Sequence, residues 1–139
     1  MTTIIKELAK KAITHGIRAV NPSELVQKHV AFQDNHILIH APNGGPTLRY
    51  ALGADRKVVV LGAGKATAEM CQGLIDAANR STTDKYNLYG AINIPKGQSH
   101  PTHFGDPNSN INIKINFAAH PILDQSTIDG TLEQLRIIK

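Results

Sequence analysis

Val58-Val59-Val60-Leu61, followed at once by Gly62-Ala63-Gly64, constrains this chain more than any other stretch. A continuous apolar run is the pattern of a strand buried on both faces, as in a parallel sheet. The glycines break that strand. Apolar residues then resume at helical spacing as Ala66, Met70, Leu74 and Ala78, with Ile75 beside them. Strand, glycine turn and helix in that order predict a layered α/β fold.

Two more strands fit the pattern. Residues 88–94 are mostly apolar and close on Pro95 and Gly97. In 111–117, Ile111, Ile113, Ile115 and Phe117 alternate with Asn112, Lys114 and Asn116, which predicts a strand at an edge or under a single layer. The expected fold class is a partial Rossmann-like layered fold, with a mostly parallel sheet flanked by helices. Ahead of this core, Ile4, Leu8, Ile13, Ile17 and Val20 predict an amphipathic helix over about 3–19. Asn21-Pro22 then caps and opens a second helix to about His29, with Glu24 at the capping-box position. Short strands at 36–40 and 47–51 flank the turn-rich Pro42-Asn43-Gly44-Gly45-Pro46, a hairpin or two separate strands. Residues 99–110, with Pro101, Gly105 and Pro107, read as an irregular surface loop. Asp124 or Ser126 caps a last helix carrying Ile128, Leu132, Leu135 and Ile138, which Gly130 weakens by up to about 1 kcal/mol.

Composition narrows the function classes. The formal net charge is +4, with no basic run longer than Lys10-Lys11 and six aromatics in all. Nucleic-acid binding wants a basic stripe interleaved with stacking aromatics, so neither nucleic acid nor a membrane surface is an expected partner. A single cysteine, Cys71, excludes an internal disulfide framework and a multi-thiolate zinc site. No apolar run approaches the roughly 20 residues that span a bilayer, and the first residues lack a secretory h-region. The expected location is the cytoplasm.

The glycine turn is where chemistry is expected. A helix start after a buried strand offers unpaired N–H groups and a partial positive charge, suited to carboxylate or phosphate. Gly62 and Gly64 allow the tight turn and close approach, and Lys65 adds a mobile cation that clamps an anion or stabilises a transferring phosphoryl group. The plainer reading of Lys65 is a solvated lysine. Neither standard nucleotide fingerprint is met: Thr67 stands where the dinucleotide motif wants its third glycine, and Ala66 follows the lysine where a P-loop needs Ser or Thr.

These residues carry a resemblance. The run from Val58 to Met70 is similar to the glycine-lysine motif of the glycerate 2-kinase family, whose larger members end in a MOFRL domain. Ala19-Val20-Asn21-Pro22, Gly90-Ala91-Ile92-Asn93-Ile94-Pro95-Lys96-Gly97 and Ala119-His120-Pro121-Ile122-Leu123-Asp124 resemble further family segments in the same order. The resemblance implies phosphorylation of D-glycerate at its 2-hydroxyl by ATP with magnesium, in a cleft between two α/β domains. Lys65 matches the family's catalytic lysine, and His120 and Asp124 match a recurrent motif near the cleft.

The family's Ser-Gly-Gly-Gly phosphate loop lies beyond the last helix seen here. The chain is therefore expected to be an incomplete N-terminal part of such an enzyme, inactive alone. It is expected to self-associate or to need the missing portion. A non-catalytic anion-binding or interaction module and a hydroxypyruvate reductase relative are the alternatives. The bland readings stand beside these: Lys96 as a surface-turn lysine also able to bind an anion, His120 as a loop histidine or a base, Asp124 as a cap or a ligand. No metal site is expected from His100, His103 and His120, and Cys71 is a packed or partly exposed thiol.

Overall fold

The computed structural model describes residues 2–81, 84–105 and 109–139. Helix α1 (Thr2–Ala19) comes first, and Asn21 caps α2 (Pro22–His29) by accepting a hydrogen bond from the Glu24 N–H at 3.0 Å. Strands β1 (Val30–Gln33), β2 (His36–His40) and β3 (Thr47–Ala51) form an antiparallel sheet in that order. The second sheet contains β4 (Lys57–Ala63), β5 (Asn87–Pro95), β6 (His103–Gly105) and β7 (Ile111–Ala118), ordered β4-β5-β7-β6. Its first three strands in space are parallel, and β6 pairs antiparallel on the far edge. Helices α3 (Thr67–Asn79) and α4 (Gln125–Ile137) flank it. This is an α/β fold with helices flanking sheets of mixed pairing.

Register explains the core. Val58, Leu88 and Ile111 are level across β4, β5 and β7, as are Gly62, Ile92 and Ile115, so one face is aliphatic. Leu88, Ile92, Ile94 and Ile113 on it are fully buried. Helix α3 covers this face with Ala68, Cys71, Ile75 and Ala78, while Met70 is 49% exposed. The buried stripe is thus rotated from the expected Ala66-Met70-Leu74-Ala78 line. Small residues let the helix lie close to the sheet, and Met70 and Leu74 turn sideways toward Val26. Burial raises the Cys71 thiol to about 12, which makes it an inert packing group.

Helix α2 crosses α3 at Gly73, where a Cβ would come within 2.5 Å of the Ser23 carbonyl oxygen. Gln27 donates to Asp76 at 2.9 Å, and Arg80 donates to the Gln27 carbonyl at 3.2 Å, fastening the two helices. Phe32 of β1 reaches the main core and meets Tyr86 with ring centroids 4.9 Å apart.

Three expectations are corrected. β4 is an edge strand rather than one buried on both faces, with Val59 and Leu61 40% and 38% exposed, because α4 lies over β5 and β7 instead. β7 is neither at an edge nor under a single layer, because β6 pairs along its far side and α4 meets its polar face: Lys114 pairs with Glu133 at 3.3 Å and Asn116 donates to Asn93 at 3.2 Å. Within the expected loop at 99–110, His103–Gly105 is a strand that extends the sheet, while residues 106–108 lie outside the described ones. Helix α2 ends at His29 as expected and Val30 starts β1, which turns into β2 through Asp34 and Asn35 at φ 49° and 59°. The hairpin of β2 and β3 forms, with His40 opposite Thr47.

The amphipathic helix α1 is present, but its apolar face is uncovered: Ile4, Leu8, Ile13 and Ile17 are all more than 60% exposed.

Candidate functional site

The carboxyl ends of β4, β5 and β7 and the start of α4 enclose a cleft of about 500 Å³. Parallel sheets present ligands at this end. Gly64, Lys65, Asn93, His120, Thr127 and Thr131 contribute to its walls. Two of the glycine-turn residues and the later histidine, far apart in the chain, are thereby brought together.

The two glycines have different duties. Gly64 takes φ +127°, which side-chain-bearing residues rarely adopt. Its N–H donates to the Asn93 carbonyl at 3.0 Å and its own carbonyl accepts from the Thr67 N–H at 3.3 Å, pinning the turn to β5 and α3. Gly62 instead allows close packing of the helix start, since a Cβ there would lie 2.7 Å from Thr67 Cγ2. It faces the apolar groove formed with Val26, Met70 and Leu74 and lies outside the cleft. Ala66, preceding α3, supplies no side-chain cap.

Lys65 is exposed at the cleft mouth, and its ammonium enters no ion pair among the described residues. Its backbone carbonyl accepts from Gln98 Nε2 at 3.1 Å, tying the turn to the segment after β5. Lys96 and Asp124 are held to each other, Nζ to Oδ2 at 2.7 Å. Asp124 also caps α4, its Oδ1 accepting from the Ser126 N–H at 2.8 Å and from the Ser126 hydroxyl. His120 is exposed, in a cis His120-Pro121 unit whose preceding residue is tied to α4 by an N–H bond from Ala119 to the Ser126 hydroxyl at 3.2 Å.

The bonds from Lys96 first, and then from Ser126, lower the Asp124 carboxyl from 3.8 to about 2. A depressed folded-state pKa contributes stability above the unfolded value, and that contribution disappears as pH falls through the folded one. We expect Asp124→Asn to lower stability relative to the parent chain at pH 7, with the gap closing between about pH 4 and pH 2. Urea unfolding of both chains across that range measures it, and a gap that persists at pH 2 contradicts the assignment.

Sequence reasoning missed Asn93, Thr127 and Thr131. Asn93 had a visible signal: it is the one polar residue within Ala91-Ile92-Asn93-Ile94, at the end of a buried strand. The threonines had none, since exposed helix positions commonly carry them.

No group of three His, Cys, Asp or Glu among the described residues is placed to hold a metal. The donor set fits magnesium poorly as well, because no carboxylate lines the cleft and Asp124, next in the chain to its Leu123, is already paired with Lys96.

A glycine-turned cation and a small cleft at the ends of parallel strands define an α/β protein with a candidate small-anion site. The chain belongs to the DUF4147 family, described as a domain of unknown function, which matches residues 8–139. That membership agrees with the glycerate-kinase association implied by the motifs. No curated protein and no solved structure matches the chain. No helix among the described residues is long and apolar enough to cross a membrane.

Proposed function

We propose that this chain is the N-terminal segment of a cytoplasmic, ATP-dependent glycerate 2-kinase, a partial Rossmann-like domain that carries the anion-binding half of the active site. The convergence of Gly64, Lys65 and His120 on one cleft at the strand ends carries this reading. Lys65 is the cation that holds an anionic oxygen of glycerate or of the nucleotide. In the reaction, the 2-hydroxyl oxygen of glycerate bonds to the terminal phosphorus of ATP, the bond to the bridging oxygen breaks, ADP departs and the hydroxyl proton passes to solvent. Charge on the transferring group needs several surrounding donors. This cleft offers one unpaired ammonium, and the Lys96–Asp124 pair stands beside it with its charges already matched. Magnesium would supply charge neutralisation in the whole enzyme, and no step is assigned to it from the residues present.

The chain alone is therefore expected to bind D-glycerate or ATP weakly and to turn over neither. Isothermal titration with each ligand, repeated on Lys65→Ala, should show binding that the variant loses. A coupled ADP-release assay with D-glycerate, ATP and magnesium should stay at background. Turnover of about one per second, in the ordinary enzyme range, would overturn the inactivity. Heat from NADH alone would replace the kinase reading with a reductase one.

A further inference from the structure

The cleft contains a buried polar group that the protein uses on one side only. Asn93 is 6% exposed, and its amide lies flat against Gly130 of α4. A Cβ on Gly130 would come within 2.5 Å of Oδ1, 2.9 Å of Cγ and 3.0 Å of Nδ2. With its flat face covered, the amide can act only through its edges. Asn116 Nδ2 donates to Oδ1 at 3.2 Å, which leaves the N–H edge on the side away from β7. Asn93 lines the cleft, and its Nδ2 makes no hydrogen bond among the described residues. That nitrogen is not sealed in, since the buried side-chain atom left without a partner among them is Gln98 Oε1.

We infer that Asn93 is a ligand-binding residue, whose Nδ2 donates a hydrogen bond to an anionic oxygen, carboxylate or phosphate, of a small molecule seated against Gly64 and Lys65. The inference rests on the cleft reading proposed above and names a contact beyond the glycine turn and its lysine. The remaining polar groups favour an anion over a cation. No carboxylate lines the cleft. The Thr127 and Thr131 hydroxyls already donate to the Ala119 and Thr127 carbonyls, at 3.4 Å and 2.9 Å. The free side-chain donors among the described residues are Asn93 Nδ2, the Lys65 ammonium and a ring N–H of His120. The Asn93 carbonyl holds the Gly64 N–H as well, so one residue both fixes the turn and supplies a donor beside it. Because Nδ2 is open to the cleft and otherwise meets only solvent, a ligand oxygen can take its hydrogen bond without displacing a protein partner.

The test uses the full chain labelled with ¹⁵N. The Asn93 side-chain amide is assigned as the pair of resonances missing in Asn93→Asp. D-glycerate, inorganic phosphate and ATP are titrated separately, which distinguishes a carboxylate source from a phosphate source. The Asn93 side-chain resonances are expected to shift and saturate together with the backbone amides of Gly64 and Lys65. Asn93→Asp, which removes the donor and adds a like charge, should bind the same ligand about 10–100-fold more weakly.

If Gly64 and Lys65 saturate while the Asn93 amide stays still, the inference fails and the cleft reading stands. If no resonance responds to any of the three, both fail. Should Asn93→Asp not fold, Asn93→Ser supplies the assignment, and the parent-chain titration still decides.

Discussion

Alanine at position 90 is expected to deprive the chain of a stable fold. Gly90 lies in the middle of β5 at φ +155°, and a Cβ there would come within 2.0 Å of the Val60 carbonyl oxygen and 2.8 Å of its carbon. Backbone strain of this kind costs about 1–3 kcal/mol. Forcing apart a packed neighbour costs about 1–3 kcal/mol more. Val60 cannot yield without giving up the parallel ladder that continues to Ala63 and Asn93, hence to the glycine turn. Against a typical total of about 5–15 kcal/mol, such a loss unfolds a small domain or leaves it half populated at room temperature. Circular dichroism and urea unfolding of Gly90→Ala measure this. A transition midpoint matching the parent would mean that β4 and β5 are not paired as described.

The second large effect separates the two kinds of apolar position in the sheet. Ile92 is fully buried at the centre of β5, between Gly62 and Ile115. Ile92→Ala should cost about 2–5 kcal/mol, through lost burial and the cavity left behind. Leu61, on the neighbouring strand, is 38% exposed on the opposite face, and Leu61→Ala should cost about 1 kcal/mol. Denaturant unfolding of both variants at equal protein concentration gives the comparison. Equal losses would show that β4 is covered in solution, as by a second copy of the chain, and would contradict its position at an exposed edge.

The crossover at the heart of the fold was legible because its residues carry their own punctuation. Four apolar residues, two glycines and a helical stripe leave few alternatives for 58–79. The caps at Asn21 and Asp124 were legible for a similar reason, since short polar side chains before an apolar run have a specific acceptor role. The parts that were not legible depend on neighbours remote in sequence. An alternating strand such as β7 looks like an edge until a helix with a matching glycine and glutamate is set over its polar side. An unbroken apolar strand such as β4 looks central until α4 turns out to cover β5 and β7. β6 is three residues long and is held by pairing with β7 rather than by its own pattern.

At the site, Gly64 and Lys65 stand where the turn predicts. The pairing of Lys96 with Asp124 could not be read from residues 28 apart in sequence. Gly130 shows the same limit most clearly: as a helix residue it is a weakness, and as the surface beneath Asn93 it is what allows α4 to close on the sheet.

The strand order β4-β5-β7-β6 has a consequence for a chain emerging from the ribosome. The three-stranded sheet of residues 30–51 pairs only near neighbours and can close as soon as it is made. β5, by contrast, waits with one side open until β7 has been synthesised, and the Gly62 and Ala91 carbonyls wait longer still for the two hydrogen bonds from Gln134. The cleft at the strand ends is thus assembled last in time from parts made early and late, and a nascent chain halted before α4 exposes its sheet to any passing partner.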